Sequence, residues 1–237
     1  MAKKQSTPDD AVYTLKITLA GIRPAIWRRV EVLGSTLLGD LHRVIQGVMD
    51  WEESHLHQFI FGEPKRPGKA EIRKWEASGS DNVNALWGQR AFSDPLQELE
   101  ETEDEWEVTL GELAPKVKTR FVYEYDFGDG WEHLVEVEKI RPAEPGANYP
   151  RCISGKRRAP MEDSGGPWGW ADKIKAVNNP RDEEDEDLRG WMGLEPGEEF
   201  DAEWFDVGET NARMVRVMGE IDRARKAWAR ELSKRRR

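Results

Sequence analysis

Two stretches of alternating apolar and polar residues, Arg120–Phe127 and Trp131–Ile140, meet at Gly128-Asp129-Gly130. Alternation with period two is the signature of a half-buried strand, and the Gly-Asp-Gly connection tolerates positive φ, so the pair predicts an antiparallel β-hairpin. Trp131, His133, Val135 and Val137 fall on one face of the second strand, and Glu132, Glu136 and Glu138 are expected toward solvent.

The rest of the chain is read around this hairpin. Val12–Ala20 and Ile26–Leu33 flank a Gly21–Pro24 turn and predict an opening hairpin. Ser35 or Thr36 is then expected to cap a helix whose apolar positions Leu37, Leu41, Val44, Ile45, Val48 and Met49 follow 3.6-residue spacing up to Asp50. His55–Phe61 reads as a third strand. Lys69–Glu107 is poorly patterned and predicts one short strand within a long surface insertion. Pro142–Pro160 is a loop, and Pro167 opens a helix that Asn178-Asn179-Pro180 stops. A short acidic helix near 182–191 and a long terminal helix from about Glu209 to Ser233 follow, the latter with an apolar stripe of Met214, Val217, Ile221, Ala224 and Trp228. The order predicts an α+β domain with a twisted, largely antiparallel sheet, a β-grasp-like core and helices packed on it. Residues 1–10 are expected to be disordered, 11–207 to form the domain, and 208–237 to form a basic helix that packs on it or extends it.

Composition narrows the class. The 237 residues are 38% hydrophobic and 35% charged, so 11 tryptophans must supply much of one core. A lone cysteine, Cys152, has no intramolecular disulfide partner, and the polar stretch 1–10 has no apolar signal core; both imply the cytoplasm. No apolar run approaches bilayer length, so no membrane role is expected. The net charge of −10 argues against general nucleic-acid affinity, yet it is unevenly spread. Asp94–Glu112 holds 9 carboxylates and no Lys or Arg, whereas Asn211–Arg237 holds 10 Lys or Arg. The acidic runs are expected to be solvated loops, and the basic tail a solvated helix attracted to them.

Four segments together resemble the plasmid pRi open-reading-frame-three-like family: Leu41-His42-Arg43-Val44-Ile45-Gln46 followed by Trp51; His55-Leu56-His57-Gln58-Phe59; Tyr123 to His133 with its Asp126-Phe127-Gly128-Asp129-Gly130-Trp131 centre; and Glu162-Asp163-Ser164-Gly165-Gly166. The resemblance implies an α+β fold and a plasmid or mobile-element setting, with no established activity. Relatives often carry cysteines where this chain has Ala159 and Ser164, so a thiolate-rich zinc site is not expected here.

Of the four histidines, His55, His57 and His133 lie in those of these segments that read as strands. Strand periodicity places His55 and His57 on one face. Two neutral imidazoles with a carboxylate from Asp126, Asp129 or Glu162 can bind a divalent ion with open positions, as hydrolytic sites do. The plainer alternative is a semi-buried hydrogen-bonded network at the core edge, and a pocket without metal is the third. By alternation Asp126 falls on the strand face opposite Tyr125, so it converges with His133 only if a bulge shifts the register. Glu162 and Asp163 precede a helix and are expected to favour its N-terminal amides, with general acid–base work as the alternative. His42 reads as an ordinary packed helix residue, and Cys152 has no thiolate-stabilising motif beside it. The leading functional reading is a binding or adaptor module without a cofactor, for an unidentified protein or small-molecule partner. Its polar aromatic groove would form around His55, His57, Asp129, Trp131 and His133. A metal-dependent hydrolase using the same histidines and the Glu162-Asp163 loop is the competing class, and nucleic-acid contact through the basic C-terminal helix is the third.

Overall fold

The computed structural model describes residues 11–78, 83–181, 183–219 and 223. The expected disorder of 1–10 and most of the basic tail lie outside them, including Ile221, Ala224 and Trp228 of the apolar stripe.

The described strands form one eight-stranded sheet. In chain order they are β1 (Ala11–Leu19), β2 (Trp27–Leu33), β3 (His57–Phe61), β4 (Arg90–Ser93), β5 (Glu103–Asp104), β6 (Arg120–Tyr125), β7 (Trp131–Pro142) and β8 (Arg151–Lys156). The spatial order is β5-β4-β3-β6-β7-β1-β2-β8. Every pairing is antiparallel except the short β4–β5 edge. A β-grasp core would set its first and last strands side by side in parallel. That arrangement is not seen here: β1 lies antiparallel between β2 and β7, and the last strand, β8, pairs antiparallel with β2.

One face of the sheet is the core. Cross-strand partners share a face, so His57, Phe59 and Phe61 of β3 continue through Tyr125, Tyr123 and Phe121 of β6 to Trp131, His133 and Val135 of β7. Leu15, Ile17 and Leu19 of β1 extend the same face. The opposite face is solvated and carries ion pairs across strands, including Arg29 with Glu138 at 2.5 Å, Arg120 with Glu136 at 2.7 Å, and Arg141 and Arg151 on Glu31.

Helix α1 (Leu38–Met49) covers the inner face with Leu38, Leu41, Val44, Ile45 and Val48, all buried. Its capping differs from the Ser35 or Thr36 expectation, since Leu37 stands at the N-cap with no side-chain bond. The helix receives its acceptors from the insertion: the amides of Leu38 and Gly39 donate to the carbonyls of Val108 and Glu105. Gly39 is required there, because a β-carbon would lie about 2.5 Å from the Trp106 ring. At the other end Arg28, buried on β2, donates from Nε to the Val48 carbonyl at 2.9 Å, placing a cation at the negative end of the helix dipole. Burial pulls its pKa down to about 10, which leaves it charged at neutral pH.

The insertion is more structured than its sequence suggested. It forms α2 (Lys69–Ser78), α3 (Val83–Leu86), β4, a 3-10 turn at Pro95–Gln97 and β5, and is followed by α4 (Leu110–Leu113), which is closed by a Thr109–Glu112 capping box. Helices α5 (Gly166–Asn178) and α6 (Glu183–Trp191) follow the sheet. A further helix, α7, runs over 207–219 among the described residues. It docks on α1 through buried Met214 and an Arg213–Asp50 ion pair at 2.5 Å. No helix among the described residues is long and apolar enough to cross a membrane.

The central hairpin turns over five residues rather than three. Tyr125 pairs with Trp131, and Asp126 has already left the strand in the left-handed region at φ 54°. Its carboxylate accepts hydrogen bonds from the Gly128 and Asp129 amides and so replaces the missing ladder bonds. Trp131 lies fully buried just past this turn, near Trp51. Trp131→Ala should therefore destabilise the protein by about 3–5 kcal/mol in urea unfolding; an unchanged midpoint would show that the ring contributes nothing to packing.

Candidate functional site

Where α1 crosses β3 and β6, the core turns polar. His42 and Gln46 sit one helical turn apart on the buried face of α1 and both reach the Tyr123 hydroxyl, at 2.7 and 2.9 Å. Gln46 Oε1 accepts from the Glu53 backbone amide, so its Nε2 donates to the hydroxyl, which in turn donates to His42 Nδ1 and leaves the His42 proton on Nε2. His57 stacks on His42 with ring centroids 3.6 Å apart and planes within 6°. Gln97 accepts from the His57 backbone amide through Oε1 and donates through Nε2 to the His57 ring Nδ1. His57 therefore also carries its proton on Nε2, and donates it to Glu105 Oε2 at 2.9 Å. Two imidazoles stacked this closely and cut off from water cannot both be charged. Burial, followed by His57 and Arg43, drives the His42 pKa well below the ordinary histidine value.

This pair forms the floor of an open cavity of about 140 Å³. Arg43 and Glu105 line it beside the two rings, and Glu53 and His55 are its more exposed members. Burial raises the Glu53 pKa against the opposing pull of Arg43.

His55 stands just before β3 rather than within it, so alternation no longer ties it to His57. Its Nε2 lies 3.8 Å from Asp126 Oδ2 and 3.2 Å from Asp163 Oδ1, buried, and makes a hydrogen bond to neither. One ligand atom from each of the three residues falls within 4.8 Å of the others. Two loops create this convergence. Asp129 of the hairpin turn accepts from the Gly165 amide at 2.9 Å. Gly166 lets the backbones touch, since a β-carbon there would lie about 2.3 Å from the Asp129 carbonyl oxygen. The 162–166 loop is thus clamped against the turn, which aims Asp163 at His55.

The residues singled out in the sequence fall into separate environments. His55, Asp126 and Asp163 converge. His57 belongs to the adjoining cavity. Trp131 and His133 are fully buried on the inner face and line no surface groove, while Asp129 is the clamp. Asp126 faces His55 and not His133, because it leaves the strand. Neither Glu162 nor Asp163 caps α5, whose N-cap is Gly165; Glu162 accepts from the Tyr125 hydroxyl and from the Glu52 amide. Cys152 is buried, with its thiol pushed up to about 11 by desolvation. Sequence reasoning read His42 only as an ordinary packed residue and singled out neither Gln46 nor Glu105. The first two had a visible signal, a polar pair spaced i, i+4 on an apolar helix face. Glu105 had none, being one carboxylate in an acidic run.

His133 donates from Nδ1 to the Tyr123 carbonyl at 3.3 Å, and burial lowers its pKa to about 4. The unfolded chain takes up this proton near pH 6.5 and the folded chain only near pH 4. The stability it contributes is thus complete above pH 6.5 and lost as pH falls toward 4. His133→Phe should flatten the decline of unfolding free energy across this window by on the order of 3 kcal/mol, read by urea unfolding at a series of pH values. Identical pH profiles for the two proteins would contradict this assignment.

The same architecture recurs in proteins without an assigned role. The crystal structure of a protein of unknown function, MM3350 from Methanosarcina mazei Go1, superposes with a TM-score of 0.64 at 34% identity, over 84% of this chain and 97% of that one. An uncharacterized protein, y4hQ, of Sinorhizobium fredii (strain NBRC 101917 / NGR234) is 28% identical over 221 residues, 93% of this chain and 96% of its own length. The plasmid pRiA4b ORF-3-like protein family matches residues 11–209, which span the sheet, both clamped loops and the buried histidine pair. The chain belongs to the plasmid pRiA4b ORF-3-like protein family.

Proposed function

We propose that this protein is a binding module that holds a divalent transition-metal ion between His55, Asp126 and Asp163. The observation that carries the reading is the His55 Nε2 atom, buried between two carboxylates and hydrogen-bonded to neither. Nitrogen and oxygen ligands sit about 2.0–2.2 Å from zinc, so ligand atoms that share an ion lie roughly 3–3.5 Å apart. The 3.2 and 3.8 Å separations are close to that spacing. One imidazole and two carboxylates suit zinc or manganese and leave coordination positions open for a ligand. The binding reading is favoured over hydrolysis because Glu162, the nearby candidate base, is already held by Tyr125 and the Glu52 amide. The plasmid name of the family supports a mobile-element setting, and the single buried thiol suits a cytoplasmic one. Nucleic-acid contact draws no support from the described sheet surface, whose arginines are largely engaged in ion pairs.

Titration of chelator-treated protein with zinc and manganese should show one ion bound per chain and a raised thermal midpoint. His55→Ala should weaken binding by more than the roughly tenfold that losing even a supporting contact costs. Asp126→Asn should do likewise while sparing the fold, since an amide oxygen can still accept from Gly128 and Asp129. Stoichiometric binding that survives both substitutions, or no binding by the parent protein, would rule this site out.

A further inference from the structure

The region between β3 and β4 encloses a second, larger cavity of about 630 Å³, a volume in the range of small-molecule sites. Its walls come from residues 65–67, α2 and α3. Two hydrogen bonds tie these walls together: the Lys65 amide donates to the Trp87 carbonyl at 2.8 Å, and Gln89 Nε2 donates to the Gly62 carbonyl at 3.1 Å. Glu71, Lys74 and Trp75 are spaced i, i+3 and i+4, so one face of α2 is turned toward the cavity. The charge here is opposite to that of the chain. Lys65, Arg66 and Lys74 line the cavity against one carboxylate, Glu71, whereas the whole chain carries −10. All three cations are exposed, and among the described residues none of them enters an ion pair. Glu71 is already engaged, since its Oε2 accepts from the Gly68 amide at 2.6 Å at the start of α2, where the helix dipole offsets its charge. The rest of the wall is largely apolar, with Pro67, Ala85, Leu86 and the half-buried Trp75.

Accessible cations beside an indole are what a planar molecule with an anionic group requires. Lysine and arginine hold phosphoryl oxygens through charge-assisted hydrogen bonds, and a tryptophan ring receives a base by stacking. A phosphate ester carries about −1.5 to −2 charge at neutral pH, which matches several cations on one wall better than a single carboxylate does. We propose that this cavity binds a nucleoside monophosphate, its phosphate on Lys65, Arg66 and Lys74 and its base against Trp75. The site shares no residue with the His55, Asp126 and Asp163 cluster, so it does not depend on the metal reading.

The test uses the full chain, with a chelator present, and the monophosphates of adenosine, guanosine, cytidine and uridine as probes in isothermal titration at physiological ionic strength. At least one should bind, at one molecule per chain. Its nucleoside, which lacks the phosphate, and inorganic phosphate, which lacks the base, should each bind about tenfold more weakly or worse. These ligand-side comparisons need no variant to fold. Combining Arg66→Gln with Lys74→Gln, both at exposed positions, should weaken the nucleotide about tenfold while leaving the urea midpoint in place. The proposal is overturned if no monophosphate binds at millimolar concentration, if inorganic phosphate binds as tightly as the nucleotide, or if the double variant binds as well as the parent. A short single-stranded oligonucleotide that binds more than tenfold tighter than every monophosphate would mark a strand-binding surface, and would equally overturn it.

Discussion

The fold turns on a buried pair of neutral imidazoles. His42 and His57 lie face to face at 3.6 Å, one contributed by α1 and the other by β3, with their hydrogen bonds supplied by Tyr123 on β6 and by Gln97 and Glu105 from the insertion. Buried polar groups are tolerated only when their partners are in place, so a network of this kind is satisfied in one arrangement of the surrounding elements and penalised in others. It thereby sets the rotation of α1 over the sheet and the path of the insertion. The insertion answers by capping α1: the backbone of Glu105 accepts from Gly39 while its side chain accepts from His57. One residue links the helix terminus, the stack and the cavity.

A second constraint holds the rim of that cavity. Asp126 leaves β6 with positive φ, organises the turn through its own carboxylate, and still offers Oδ2 toward His55. Asp129 in the same turn fastens the loop that carries Asp163. Two loops with little regular structure thus become a defined surface, because each satisfies the polar groups of the other.

Much of the architecture was legible in the sequence, because alternation and 3.6-residue spacing report burial directly. The opening hairpin, α1, the central hairpin and α5 all announce themselves in this way. The expected strand through Phe127 failed because alternation cannot reveal a side chain, Asp126, that competes with the ladder for its own backbone. The cap expected from Ser35 or Thr36 failed for a related reason: acceptors for α1 come from residues some seventy positions away, which no local signal encodes. At the site, His55 and Asp163 could be named from the segments that carry the family resemblance, but their convergence depends on the Asp129–Gly165 clamp. His42 read as a packed residue and is packed, yet its packing partner is another histidine. The acidic run around Glu105 looked solvated throughout, and charge patterning offers no means of telling which single carboxylate turns inward.

The central claim is that both stacked histidines are neutral and carry their protons on Nε2, and side-chain nitrogen NMR tests it most directly. With the rings labelled at Nδ1 and Nε2, two-bond correlations near neutral pH should show the Nε2–H tautomer for His42 and His57, and His42 should remain neutral as the pH falls below 6.5. An Nδ1–H tautomer at either ring, or an imidazolium signal from His42 near pH 6, would contradict the hydrogen-bond network on which the account depends.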